Sequence, residues 1–282
     1  MAHSTRQGVA MMLFSSLCFA AVNLMVKYLP HLPATEIVLA RAIITLIMSI
    51  TVLRWRKIPM WGKQKNWLLV RGIAGTTALT LYFYTLQKLP MSAAITIQYL
   101  SPFFAAFMAG ILLQERTRRA QWLFFAISFG GIAIMKGGSP DLPAGLVALG
   151  LISSMLSGLA YTTIRKLKDE NPLVVVMYFP LVAAPVMIVF SLFNWVTPVG
   201  WDWALLLGIG VMTQLAQVYM TRAYQATEVN VVAPIKYIGV GFAVLWDIWL
   251  FGFIPTPLMF AGIALVILGI IANIWFKRRY PA

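Results

Sequence analysis

A chain of 282 residues that is 61% hydrophobic and only 11% charged is not a soluble globular domain, since such domains run at about 25% charged and 45–50% apolar. Disorder is excluded as well, because it needs low hydrophobicity and high charge, and a mean hydropathy of +0.83 calls for lipid as the solvent. The net charge of +14 lies in clusters between apolar runs, which reads as membrane orientation and contact with anionic lipid rather than nucleic-acid binding.

A spanning helix needs roughly 20 mainly apolar residues. Taken in chain order, the apolar runs predict ten spans, at about 7–29, 33–53, 67–87, 91–113, 118–136, 143–165, 172–193, 201–224, 228–252 and 256–276. The stops have physical causes. Pro30 and Pro33 bracket the first turn, and Pro90, Pro143, Pro172 and Pro257 sit near helix starts, where a missing N–H costs least. Gly137-Gly138-Ser139-Pro140 is a turn cluster. The first run is not a signal peptide on this reading, because it continues past the small residues of Ser15–Ala21 to span length. Ten spans with short loops leave no room for an appended soluble domain. One cysteine, Cys18, and two histidines, His3 and His31, predict no disulfide framework, no metal site and no cofactor.

Basic residues follow alternate spans. Arg54, Arg56, Lys57, Lys63 and Lys65 follow the second, Arg116, Arg118 and Arg119 the fourth, Arg165, Lys166 and Lys168 the sixth, and Lys277, Arg278 and Arg279 the tenth. The positive-inside rule then places both termini in the cytoplasm.

Two stretches resemble each other. Superposing Tyr99 on Tyr237 aligns Gln87 with Gln225, Gln98 with Lys236, Phe104 with Phe242 and Leu112 with Leu250. One stretch covers the fourth span and the other the ninth, so the chain divides into five spans (1–138) and five spans (139–282). An odd number of crossings inverts the second repeat, the arrangement of secondary transporters with a midplane site between repeats.

Several motifs carry a family resemblance: Arg71-Gly72-Ile73-Ala74-Gly75, Tyr82-Phe83-Tyr84-Thr85-Leu86-Gln87-Lys88-Leu89-Pro90, Gln98-Tyr99-Leu100-Ser101-Pro102 and Leu112-Leu113-Gln114-Glu115. Ala223-Tyr224-Gln225-Ala226 and Lys236-Tyr237-Ile238-Gly239 match in the second half. With these the chain resembles the drug/metabolite transporter superfamily, of the EamA type, over essentially its whole length. The resemblance implies a ten-helix bundle with a central cavity, and transport of small organic metabolites, often export, across a bacterial cytoplasmic membrane. One departure is that Glu115, closing the fourth span, has Phe253 where the ninth closes, which predicts unlike gates.

An ionisable group within a span costs about 2.5–3.5 kcal/mol on insertion scales and points to function. Lys236 lies roughly 12 Å into the ninth span, at about 1.5 Å per residue, two residues after Pro234. It reads as a substrate or proton site, or as a lysine paired with Asp247 or with carbonyls. Gln98, its repeat partner, faces the same cavity or bonds a neighbouring helix. Tyr99, Tyr237 and Tyr82 offer ring and hydroxyl to an organic ligand. Arg41 presents a planar fork suited to carboxylate or phosphate, and Asn23, Gln214 and Gln217 are polar and mid-span. Asp247, Glu36, Arg71 and Arg222 lie nearer span ends and are candidates for gating or coupling, with snorkelling the simpler account of the two arginines and a cytoplasmic vestibule the alternative. Tyr84, Trp246 and Trp249 are candidates for an aromatic wall, and the glycines Gly72, Gly75, Gly130, Gly131, Gly262 and Gly269 for close helix approach.

Buried cations outnumber buried acids, which predicts an anionic or zwitterionic ligand. The leading expectation is a secondary transporter, exporter or exchanger, of a small polar metabolite, with the two five-helix halves rocking about a central site. The alternative is a flippase or drug exporter with a cavity open sideways to lipid. A membrane enzyme would need clustered His, Asp or Glu, and no such cluster occurs. Expected partners are the small-molecule substrate and membrane lipids, not nucleic acid; a homodimer is left open.

Overall fold

The computed structural model describes residues 2–112, 114, 119–139, 142–167, 169–226 and 233–279. Among them there is no strand. The helices are α1 (Ala2–Lys27), α2 (Ala34–Trp55), α3 (Lys65–Lys88), α4 (Met91–Gln98), α5 (Ser101–Leu112), α6 (Arg119–Gly137), α7 (Ala144–Lys166), α8 (Pro172–Ser191) and α9 (Asp202–Ala226). A 3₁₀ turn (Ala233–Tyr237), α10 (Ile238–Trp249) and α11 (Pro257–Arg279) follow. Seven segments are long and apolar enough to cross a membrane, with α4 and α5 counted as one, and α3, α6 and α10 are not among them. α3 carries Arg71, Thr76, Thr80 and Gln87, and α10 has 12 residues.

The fourth run, expected as a continuous helix, is broken, and the described part of the ninth begins as a 3₁₀ turn. Pro102 has no N–H for the Gln98 carbonyl and its ring crowds that turn, so α4 ends at Gln98 and α5 begins at Ser101. Pro234 lies in the 3₁₀ turn that leads to α10. Tyr99 and Tyr237, superposed in the sequence repeat, therefore fall at the break and in the 3₁₀ turn.

Packing follows a two-fold pseudo-symmetry. Superposing the first half of the chain on the second maps α1 to α7, α2 to α8, α3 to α9, α4–α5 to the 3₁₀ turn and α10, and α6 to α11. The α1–α9 interface maps to α7–α3, α2–α9 to α8–α3, and α5–α7 to α10–α1, and all six occur. The α2–α8, α6–α11 and α4–α10 interfaces map onto themselves and also occur. Nearly all close packing thus runs between the halves. Among the described residues the halves interleave.

α6 and α11 approach backbone to backbone. A Cβ at Gly131 would stand 2.7 Å from the Gly262 carbonyl oxygen, so both positions need glycine. Gly130, expected to share this role, faces open space. Large apolar side chains such as Ile47, Leu123 and Leu268 are exposed on the outside, where lipid would cover them.

Candidate functional site

The interleaving leaves a central cavity of about 200 Å³ open to the centres of water-sized groups. The cavity is walled by α1, α2, α3, α7, α8, α9, the break between α4 and α5, and the 3₁₀ turn. It extends toward the end of the bundle that carries Arg54, Lys57, Lys65 and Lys166, since Arg71, Ile164 and Met220 line it there. At the opposite end Leu29, Leu32, Leu86, Leu89 and Met91 pack with almost no exposure.

Of the expected ligand-binding residues, Lys236, Gln98, Tyr99, Arg41, Tyr82, Asn23, Gln214 and Gln217 line the cavity, and Tyr237 does not. Tyr237 lies behind Tyr99, with ring centroids 5.1 Å apart edge-to-face. Gln98 combines both of its expected roles. Its Nε2 donates to Ser157 Oγ at 2.8 Å and its Oε1 accepts from Ser153 Oγ at 3.1 Å, so two α7 serines hold the amide at the cavity wall. The Tyr82 hydroxyl faces Asn23, and Gln214 Nε2 donates to Ser49 Oγ at 3.3 Å.

The three cations are placed against aromatic rings. Arg41 Cζ is 5.7 Å from the Phe83 centroid and 5.3 Å from that of Phe179. Arg71 Cζ is 6.0 Å from the same Phe179 ring. Lys236 Nζ is 5.8 Å from the Tyr161 ring. A cation over a ring face within about 6 Å gains some 0.5–2 kcal/mol. No carboxylate is among the described residues that line the cavity.

Of the four gating candidates, only Arg71 lines the cavity. It is buried in the wall and does not snorkel, because the α3 face that bears it packs on α7 and α8. Arg222 is exposed, over the Tyr219 ring. Glu36 Oε1 accepts from the Val196 N–H at 2.6 Å, tying α2 to the loop before α9. Asp247 does not pair with Lys236. Its carboxylate accepts from the N–H of Met91 and of Ser92, both at 2.8 Å, and from Ser92 Oγ at 2.6 Å. Pro90 precedes α4 and has no side-chain acceptor, so Asp247 caps that helix from another span. Lys27 does the converse for α3, donating to the carbonyls of Leu86, Gln87 and Leu89. An anion at a helix start and a cation at a helix end both suit the helix dipole. Gln87 Nε2 also donates to the Leu29 and Leu32 carbonyls, at 2.6 and 2.9 Å. Glu115 and the Glu228-Val229-Asn230 stretch lie outside the described residues.

The aromatic wall comes from Phe19, Phe83 and Phe179 together with Tyr82, Tyr99 and Tyr161. Trp249 and Tyr84 point outward, and Trp246 stacks on Phe242. Sequence reasoning missed Tyr161, although Ser153, Ser157 and Tyr161 recur every four residues as a polar stripe on α7. Phe179 carries no signal in an apolar run.

Two copies of the EamA-like transporter family match the chain, over residues 6–136 and 145–275. The chain belongs to this family. It is 33% identical over 272 residues to the pseudopaline exporter CntI of Pseudomonas aeruginosa strain UCBPP-PA14, with 95% of each chain covered. It is 27% identical over 278 residues to the riboflavin transporter of Vibrio cholerae serotype O1, covering 95% of this chain and 93% of that one. Human solute carrier family 35 member G1 is 26% identical over 270 residues, covering 88% and 73%. A solved crystal structure with 18% identity superposes with a TM-score of 0.64 over 99% of both chains, which shows the fold. This EamA-like protein is a multi-pass membrane transporter of a small molecule and not an enzyme.

Proposed function

We propose that this EamA-like transporter is a secondary exporter or exchanger of a small polar organic metabolite, anionic or zwitterionic, in a bacterial cytoplasmic membrane. It crosses ten times with both termini in the cytoplasm, so the cavity extends toward the cytoplasm. The observation that carries this reading is the wall itself: Arg41, Arg71 and Lys236 line it, and no described lining residue is acidic. A cationic wall of low dielectric attracts anions and disfavours cations. Lys236, Gln98, Tyr99, Arg41, Tyr82, Asn23, Gln214 and Gln217 bind the substrate, with Tyr237 supporting Tyr99. Asp247 and Glu36 hold the far end closed, and alternating access rearranges the interleaved halves about the site.

The test is a thermal-shift screen of the purified protein against anionic, zwitterionic and cationic metabolites, repeated on Lys236→Gln and followed by uptake into proteoliposomes. A ligand held only by the folded state raises the thermal midpoint. Stabilisation by anions or zwitterions that is lost in Lys236→Gln, with uptake of the same compound, is the expected result. Stabilisation by cations alone, unchanged in the variant, rejects it.

A further inference from the structure

Arg41 on α2 and Arg71 on α3 are 7% and 8% exposed. The Nε of each is fully buried, and among the described residues it has no hydrogen-bond partner and neither guanidinium has an ion pair. Both approach the one Phe179 ring, so the same side chain of α8 positions both. Two like charges on one ring in a poorly solvated wall repel, and each is costly until it is paired. One monoanion compensates one of them. A zwitterion compensates neither in net charge.

We propose that the Arg41–Arg71 pair is a clamp for two carboxylates, and that the substrate is an organic acid carrying at least two. This rests on the anionic reading of the cavity and narrows it. Each guanidinium offers a planar fork that matches a carboxylate in two parallel hydrogen bonds. Phe179 orients both forks. Arg71 is thereby a binding residue, not a gate.

The experiment compares straight-chain mono- and dicarboxylates of equal length, pentanoate with glutarate and longer pairs, together with inorganic phosphate. Affinities are read by titration calorimetry on the full-length protein in nanodiscs. The wild type is expected to favour the diacid of each pair. Arg41→Gln and Arg71→Gln each lose roughly ten- to a hundredfold in diacid affinity, the effect of one charged hydrogen-bonding group, and keep monoacid affinity within about threefold. Arg41→Lys and Arg71→Lys, which keep the charge and lose the fork, retain a reduced diacid preference and serve where a glutamine variant fails to fold. Equal affinity for mono- and diacids throughout the pairs overturns the proposal, and so does phosphate binding as tightly as the best diacid. A monoacid preference that survives in both arginine variants and disappears in Lys236→Gln overturns the clamp and leaves the anion-transporter reading standing. A response to cations alone overturns both.

Discussion

The Tyr99 hydroxyl donates a 2.6 Å hydrogen bond to the Lys236 carbonyl and so ties the break between α4 and α5 to the 3₁₀ turn before α10. Gly239 makes room for it. A Cβ there would stand 2.5 Å from the Tyr99 hydroxyl oxygen. Gly239→Ala is expected to lower stability by about 1–3 kcal/mol through overpacking, and Tyr99→Phe by about 1 kcal/mol through loss of the hydrogen bond. The double variant should be less destabilised than the sum, because removing the hydroxyl frees the space that the new methyl needs. Thermal midpoints of the four proteins in one detergent check this; strict additivity would mean that the two residues do not meet.

Asp247 holds two buried backbone N–H groups and a buried hydroxyl. Asp247→Ala leaves those donors without an acceptor, at a cost on the order of 3 kcal/mol. Asp247→Asn keeps one carbonyl oxygen and should cost less. The thermal midpoints are expected in the order wild type, Asp247→Asn, Asp247→Ala. If Asp247→Ala melts with the wild type, the cap on α4 contributes nothing to closing the far end.

Glycines on α6 and α11 are expected to respond oppositely. In Gly262→Ala the new Cβ falls 2.5 Å from the Gly131 carbonyl oxygen and the Met135 nitrogen, both backbone atoms that cannot swing aside, and α6 and α11 must separate at about 1–3 kcal/mol. In Gly130→Ala nothing lies within 4 Å, and alanine's helix propensity favours the change by up to about 1 kcal/mol. A Gly130→Ala protein less stable than Gly262→Ala would reverse the assignment of which face packs.

The lone buried cysteine permits a test of orientation. In a Cys18→Ser background, Lys57→Cys is expected to react with an impermeant maleimide only from the cytoplasmic side. Gly200→Cys, in the loop before α9, should react only from outside. Labelling of both from one side would refute the ten-span arrangement with cytoplasmic termini.

Much of the cavity wall was legible in the amino-acid sequence. Lys236, Gln98, Arg41 and Asn23 stand out because a polar group within an apolar run is costly unless it faces protein or water. The repeat was legible too, and its superposed tyrosines, Tyr99 and Tyr237, are 5.1 Å apart. Arg71 was legible only as an alternative, since a cation near a helix end has two outlets, snorkelling or burial, and only the neighbours on α7 and α8 close the first.

By itself, then, the sequence determined that the chain is helical and lives in lipid, because composition, run length and basic clusters are properties of residues and not of their contacts. Tertiary structure decided which face of each helix meets the cavity. In lipid the outer and inner faces of a helix are both apolar, so the 3.6-residue period that marks a buried face in water is faint here. That is why Phe179 and Tyr161 became the rings that position the cations, while Trp246 and Trp249, equally aromatic and equally placed in an apolar run, do not line the cavity.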